Sequence, residues 1–383
     1  MSLDLIKARE IFEESTDFTV GIEEEFQILD PETLELAQRF EELQSAAQLD
    51  PDLGVSVAGE LISSEIEIRS GRGENFAHAI ALQDSFRSKL FAVADAQGAR
   101  LGSIGAHPFS RWQDQQIIDT EHYRLVEDGL KYVAWRNNTF SLHVHVGVRG
   151  ADRAIAVSDR VREVLPELLA ISASSPFVDG RDSGLATART QLFTRMFPRC
   201  GIPDPFIDWN GYAGFVEFLK DVNSVIESTQ LWWSVRPHHS YGTVEVRICD
   251  AQPTAEASTA LAGLITACVA QAARDYDEGV PFIPRAGREL EENLWRAIRF
   301  GLDGKLIDFA ARAEYPAEAA SERLLEWTAP ARAELGIEPQ LPQRNFAQTL
   351  RDDGRELHEL FAATVEATRA SFSRAGAATS AEQ

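Results

Sequence analysis

The chain has 383 residues, 44% hydrophobic and 25% charged, an ordinary globular composition with ample material for a large core. Asp and Glu number 60 against 37 Lys and Arg, and the resulting net charge of −23 repels polyanions, which argues against a nucleic-acid partner. No apolar run approaches the roughly 18 residues that cross a bilayer. The opening MSLDLIKAREIFEEST has no basic start leading into an apolar stretch, so a cytoplasmic protein without membrane contact is expected. Cys200, Cys249 and Cys268 form no CxxC pair, which fits a reducing compartment.

In chain order, residues 17–30 (DFTVGIEEEFQILD) read as a strand ended by Pro31, and 60–69 (ELISSEIEIR) as a second strand that stops at Ser70-Gly71. Phe76, Ile80, Phe86, Leu90 and Val93 recur at helical spacing over 74–97, and Gly98 ends that helix. ARLGSIGAHPF is a short strand entering a loop, and TFSLHVHVGV (139–148) is a strand with strict alternation. A helix is expected over 152–172 with Val161, Val164, Leu165, Leu168 and Leu169 inward, then a loop-rich stretch over 174–210. YGTVEVRICD (241–250) reads as the last strand, and the pattern is helical from about 255. No repeat or linker interrupts the chain, so 1–370 is expected to be one catalytic domain, β-rich over 17–254 and helical over 255–370, with a disordered tail over 371–383. Charges in the middle of the strands and the lack of a glycine-rich strand-to-helix turn favour an α+β fold over a parallel sheet.

Residues two apart on a strand share a face. On that rule Glu23 joins Glu25, Glu65 joins Glu67 and Arg69, His143 joins His145, and Glu245 joins Arg247, while apolar neighbours such as Ile22, Ile66, Val144 and Val246 face the other way. Any one of these strands taken alone reads more readily as the solvent side of a half-buried sheet. Four together, dominated by Glu and His, suggest one cavity in which the carboxylates must protonate or hold cations. Oxygen ligands with one or two imidazoles suit Mg2+ or Mn2+. The HVH pair also admits zinc with a Glu as third ligand. Magnesium held by carboxylates commonly bridges nucleotide phosphates, and Arg247 has the chemistry to stabilise a phosphoryl group in transfer. No GxxxxGK[ST] loop occurs, so a nucleotide here is not held by a P-loop.

TVGIEEEF, Glu60 followed by Glu67, GAHPF, SLHVHVGV and RPHHSYGTVEVRICD come in an order and at distances that resemble the bacterial carboxylate–amine ligases of the glutamate–cysteine ligase type 2 family, over about residues 17–300. The resemblance implies a curved, mainly antiparallel sheet of the glutamine synthetase and guanido kinase catalytic type, flanked by helices, with a helical C-terminal portion. It implies metal-binding roles for Glu23, Glu25, Glu60, Glu67 and Glu245, and metal or phosphate contact for His143 or His145. Arg247 corresponds to the phosphate-binding arginine, and Arg189 and Arg236 divide substrate carboxylate and phosphate between them. Arg247, Arg236 and His145 are then the catalytic candidates, with Arg247, His143 and Arg236 toward the nucleotide and Arg189 toward the substrate. Glu65 matches no acidic family position, and Arg69 is left as an ion-pair partner.

Glu60 and Glu67 differ by an odd number, so a bulge or bend near Ser63-Ser64 is needed to bring them together. The segment KYVAWRNNTFSL is more polar than the family pattern, and its Arg136 and two Asn are expected to reshape the acceptor side. The implied cofactors are ATP and Mg2+ (or Mn2+). The implied partners are a small amino-acid or carboxylate substrate, glutamate in the named activity, and an amine such as cysteine. A phosphotransferase and a non-catalytic metal- or nucleotide-binding protein are the competing functions. A homodimer is the default assembly.

Overall fold

A seven-stranded sheet organises the fold: β1 (Val20–Leu29), β2 (Val57–Ala58), β3 (Glu65–Arg69), β4 (Arg100–Gly102), β5 (Ser141–Gly147), β6 (Val235–His238) and β7 (Thr243–Asp250). The spatial order is β6-β7-β5-β1-β3-β2, with β4 also pairing with β1, and every pair in the sheet is antiparallel. The computed structural model describes residues 4–227 and 230–375. This is the α+β arrangement expected, with the antiparallel ladder that charged strand centres require.

The apolar side of each strand builds the core. Ile22, Val144, Val146, Val244 and Val246 are buried in one cluster with Leu261, Leu264, Ile265 and Val269 of helix Ala255–Asp277. That helix starts where the Thr254 hydroxyl accepts from the Ala257 amide. By length and composition it could cross a membrane, a property a search for unbroken apolar runs does not detect, but 83% of its apolar window is buried inside the fold. Its small side chains let it lie close to the sheet and its neighbours, as a core helix does.

Two helical expectations change in detail. Helix α1 (Phe76–Ala96) is capped by Asn75 and ends before Gly98, whose φ of 66° only glycine adopts freely. Of its expected apolar stripe only Leu90 is fully buried; Phe76, Ile80, Phe86 and Val93 are partly covered, because Gln83 and Arg87 take the inward face instead. The stretch 152–172 divides into helices α2 (Ala151–Val161) and α3 (Leu165–Ser172), joined by a turn of 3-10 helix at Arg162–Val164. Pro166 lacks the N–H that a continuous helix would use and crowds the preceding turn.

The region after 255 is helical except for an antiparallel hairpin, Lys305–Asp308 with Ala313–Pro316. The last helix, Leu357–Phe372, carries Phe372 into the core against Phe26 and Phe91, at centroid distances of 5.2 Å to each. The chain is thus tied down at the first positions of the expected tail. Residues 376–383 of that tail lie outside the described residues.

Candidate active site

The polar face of the sheet forms the floor of a cleft of about 260 Å3. Antiparallel register sets which side chains meet. Glu23 stands opposite His143 on one side and Arg69 on the other; Glu25 stands opposite Glu67; Glu245 lies between His145 and Arg236. Alternation within each strand then turns these residues to a common side. Parity in the sequence therefore found the face, and the ladder supplied the neighbours.

The distances define two overlapping groups. One ligand atom each from Glu23, Glu67 and His143 lie within 4.8 Å of one another, and the same holds for Glu23, His145 and Glu245. His145 Nε2 is 3.4 Å from Glu23 and 3.7 Å from Glu245, yet it is buried without a hydrogen-bond partner, while Nδ1 meets the Thr243 hydroxyl at 3.0 Å. His143 Nδ1 is 3.4 Å from Glu23, and its Nε2 meets the Ser141 hydroxyl at 2.7 Å. Ser141 also donates to Glu25 through both its amide and its hydroxyl, at 2.5 and 2.6 Å. Glu65 Oε2 and Glu67 Oε1 are buried with no partner. Unsatisfied carboxylate and imidazole atoms converging in one cleft are a donor set suited to a hard divalent cation.

Glu60 and Glu65 need separate mention. Val57–Ala58 is a strand of its own, antiparallel to β3, with Ala58 opposite Glu67. The chain turns at Ser63-Ser64 between them, so Glu60 approaches β3 from the neighbouring strand. The odd spacing from Glu67 thus carries no facing conflict, and the bend expected near Ser63-Ser64 is a hairpin-like reversal. Glu65 and Arg69 both line the cleft with Glu60. Glu65, which the family motif sets aside, is thus among the residues that line the cleft.

At the other end three arginines meet β7. Arg236 donates through Nε to Glu245 at 2.5 Å, and Arg247 donates to the other oxygen of Glu245. Arg247 Nη1 also lies 3.5 Å from His143 Nδ1, and its Nε is unpartnered. Arg189, on the short helix Ala188–Leu192, also lines the cleft. Its terminal nitrogens donate to the carbonyls of Ile248 and Arg247 at 3.0 and 3.1 Å, which leaves only Nε without a partner. The register of β7 against β5 shifts by one residue between Val246 and Cys249, a bulge beside Arg247. It turns Asp250 toward the cleft side of the sheet, opposite Ser141 and 3.9 Å from Arg189.

Sequence reasoning missed the walls. Tyr123, His122, Phe193, Phe197 and Trp232 all line the cleft. They come from the helix Glu121–Leu130, from the end of the helix Ala188–Leu192 and the turn after it, and from a two-residue strand, Trp232–Trp233, outside the main sheet; no local signal ties them to its strands. Asn137 of the unusually polar segment does line the cleft, whereas Arg136 instead lies 5.3 Å over the Trp112 ring.

Electrostatics divides the carboxylates. Burial raises Glu23, but His145, His143 and Arg69 outweigh it and hold the group well below the usual range. Burial of Glu245 is likewise outweighed by Arg236 and Arg247. Glu67 moves well above its ordinary value through burial and repulsion from Glu23, and Glu65 through burial and Glu25. Burial, then the Glu25 charge, raise Glu60 from 4.5 to about 7. Burial, then Arg247, lower His143 from its ordinary value, a shift toward the neutral imidazole that can ligate a metal.

A carboxyl whose pKa is raised by folding stabilises the fold below its unfolded value and loses that contribution as pH rises through its folded value. Buried histidines such as His107 and His238, held near 3 by desolvation, act oppositely below 6.5, so Glu60 must be isolated by difference. In chelator, Glu60→Gln should melt close to the parent at about pH 5 and above it at about pH 8. Equal melting temperatures at both pH values would contradict this account of Glu60.

The sequence profile of glutamate–cysteine ligase family 2 matches residues 19–374. The chain belongs to this family of ligases. A relative in Sorangium cellulosum, named "Putative glutamate--cysteine ligase 2", is 40% identical over 310 residues, covering 81% of this chain and 82% of its own. A relative of the same name in Solibacter usitatus is 37% identical over 320 residues, 83% of this chain and 82% of its own. Among solved structures, glutamate–cysteine ligase from Francisella tularensis in complex with AMP superposes with a TM-score of 0.61 at 12% identity over 95% of each chain. A bifunctional glutathione synthetase from Pasteurella multocida gives 0.62 at 11% identity, over 96% of this chain and 54% of that one. At these identities the two structures speak for a common fold.

Proposed function

We propose that this protein is an ATP- and magnesium-dependent carboxylate–amine ligase that forms an amide through an acyl phosphate. Glutamate and cysteine are the substrate pair suggested by the names of its relatives. One observation carries the reading: two ligand groups share Glu23, and two arginines converge on Glu245 in the same cleft. Glu23, Glu25, Glu60, Glu67, His143 and Glu245 would hold Mg2+ (or Mn2+). The bound ion would supply positive charge against the phosphates of ATP.

In the first step a substrate carboxylate oxygen attacks the γ-phosphorus and ADP leaves. Arg247 and Arg236 face the charge that develops on the phosphoryl oxygens, and both are already oriented by Glu245. The amine nitrogen then attacks the acyl carbon, phosphate leaves and the nitrogen gives up a proton. His145, with its unpartnered Nε2 between two carboxylates, completes the second ligand group and orients Glu23. Arg189 braces β7 beside Arg247, and its unpartnered Nε is the donor it would turn to a substrate carboxylate.

Purified protein with ATP, Mg2+, glutamate and cysteine, or another amine from a panel, should release ADP and phosphate in step with amide formation. ADP release that needs no amine, or a stable phosphorylated product with no amide, would exclude the ligase reading. Chelation should abolish turnover, and added Mn2+ or Mg2+ should restore it.

A further inference from the structure

Between the two cleft-facing glutamates of β1 lies Glu24, which alternation turns to the opposite, apolar side of the sheet. Its neighbours in that row are Ile22 and Phe26, both fully buried. A carboxylate in such a row carries a large desolvation cost unless every lone pair is used. Here both oxygens are doubly engaged. Arg87 donates Nη2 to Oε1 and Nε to Oε2, each at 2.7 Å; Ser258 also donates to Oε1, and Gln83 donates to Oε2 at 2.7 Å. Arg87 has no exposed surface, and its remaining nitrogen, Nη1, donates to Asp84 and Thr259 at 2.7 and 2.9 Å. The pair thereby joins β1 to helix α1 and to the helix Ala255–Asp277.

We propose that the Glu24–Arg87 pair is a positioning device for the cleft. By fixing the rotation of β1 about its axis at residue 24, it aims Glu23 and Glu25. A buried ion pair is weak support for stability, because well-packed apolar residues of similar volume are often as good or better. A forked guanidinium–carboxylate contact, by contrast, sets an orientation that apolar packing leaves loose. Side chains at 23, 24 and 25 share one short backbone segment, so a small rotation at Glu24 displaces both cleft carboxylates together. Because Glu23 belongs to both ligand groups, the displacement reaches each of them. This inference rests on the metal-binding role proposed for Glu23 and Glu25.

The test pairs a metal-affinity measurement with a stability measurement on the full chain. In Glu24→Leu/Arg87→Met, calorimetry should still give one cooperative unfolding transition, with a metal-free melting temperature lowered modestly because Gln83, Ser258 and Asp84 lose their partners. Titration of free Mn2+ by electron paramagnetic resonance should nevertheless show affinity about tenfold weaker. Arg87→Lys, which keeps the charge and loses the fork, should fall between the two. If Mn2+ affinity in the folded double variant and in Arg87→Lys matches the parent, the positioning role is overturned and the pair is purely structural. If the double variant does not fold, Arg87→Lys alone decides. A parent protein that binds no Mn2+ would instead overturn the metal-site reading on which the inference stands.

Discussion

Replacing Arg247 with alanine is expected to lower kcat of the amide-forming reaction by a factor on the order of 10²–10³, the size seen when one charge-stabilising donor is removed. The loss should be chemical and not structural. Glu245 keeps Arg236, which contacts both its oxygens, so its buried carboxylate does not lose its counter-charge. The melting temperature should therefore change little. Lysine at 247 should rescue poorly, since a compact ammonium cannot hold Glu245 with one nitrogen while presenting another to a phosphoryl oxygen. Steady-state kinetics with saturating ATP would measure it, and a kcat within about threefold of the parent would remove Arg247 from the proposed phosphoryl site.

The second large effect divides stability from function. Glu67 is fully buried, with one oxygen on Arg69 at 2.6 Å and the other without a partner, and Glu23 repels it. Glu67→Gln retains an oxygen for Arg69, puts an N–H in place of the unpartnered oxygen and cannot ionise. In chelator the variant should gain about 1–2 kcal/mol in stability at pH high enough to ionise the parent's raised Glu67, and that gain should shrink as pH falls and Glu67 protonates. Affinity for Mn2+ should fall by tenfold or more, because an amide is a poorer ligand than a carboxylate. Denaturant unfolding and metal titration on the same sample would measure both. A variant that is less stable yet binds Mn2+ like the parent would make Glu67 a structural counter-ion of Arg69.

The two substitutions probe opposite ends of one cluster of charge on the polar face of the sheet. On β3 and just before it, burial first and repulsion between neighbouring carboxylates second raise Glu60, Glu65 and Glu67. Along β7 the arginines dominate and hold Glu245 ionised. A site with an acidic half beside a guanidinium half suits a ligand that is itself a phosphate chain with a metal counter-ion, and the family membership accords with that reading.

Alternation made much of this legible in advance. Glu23 with Glu25, His143 with His145, and Glu245 with Arg247 were recoverable because a strand's period of two is a local, short-range property. Local chemistry also marks Gly98 as a helix end, and Pro166, missing an N–H, is where the one helix expected over 152–172 becomes two. What no window of sequence contains is the partner. Only the strand order places Glu245 beside His145 and Glu23 beside Arg69, and only the reversal at Ser63-Ser64 brings Glu60 to β3. The bulge after Val246 turns Asp250 to the cleft side against its numerical parity. Nothing in the helical spacing over 74–97 marks Arg87 as buried; Glu24, on a strand 63 residues away, is what draws it into the core. Residue type and spacing thus determined which strand side chains share the polar face of the sheet. Long-range pairing and helix packing, which depend on the whole core closing at once, decided which of them touch and how they are charged.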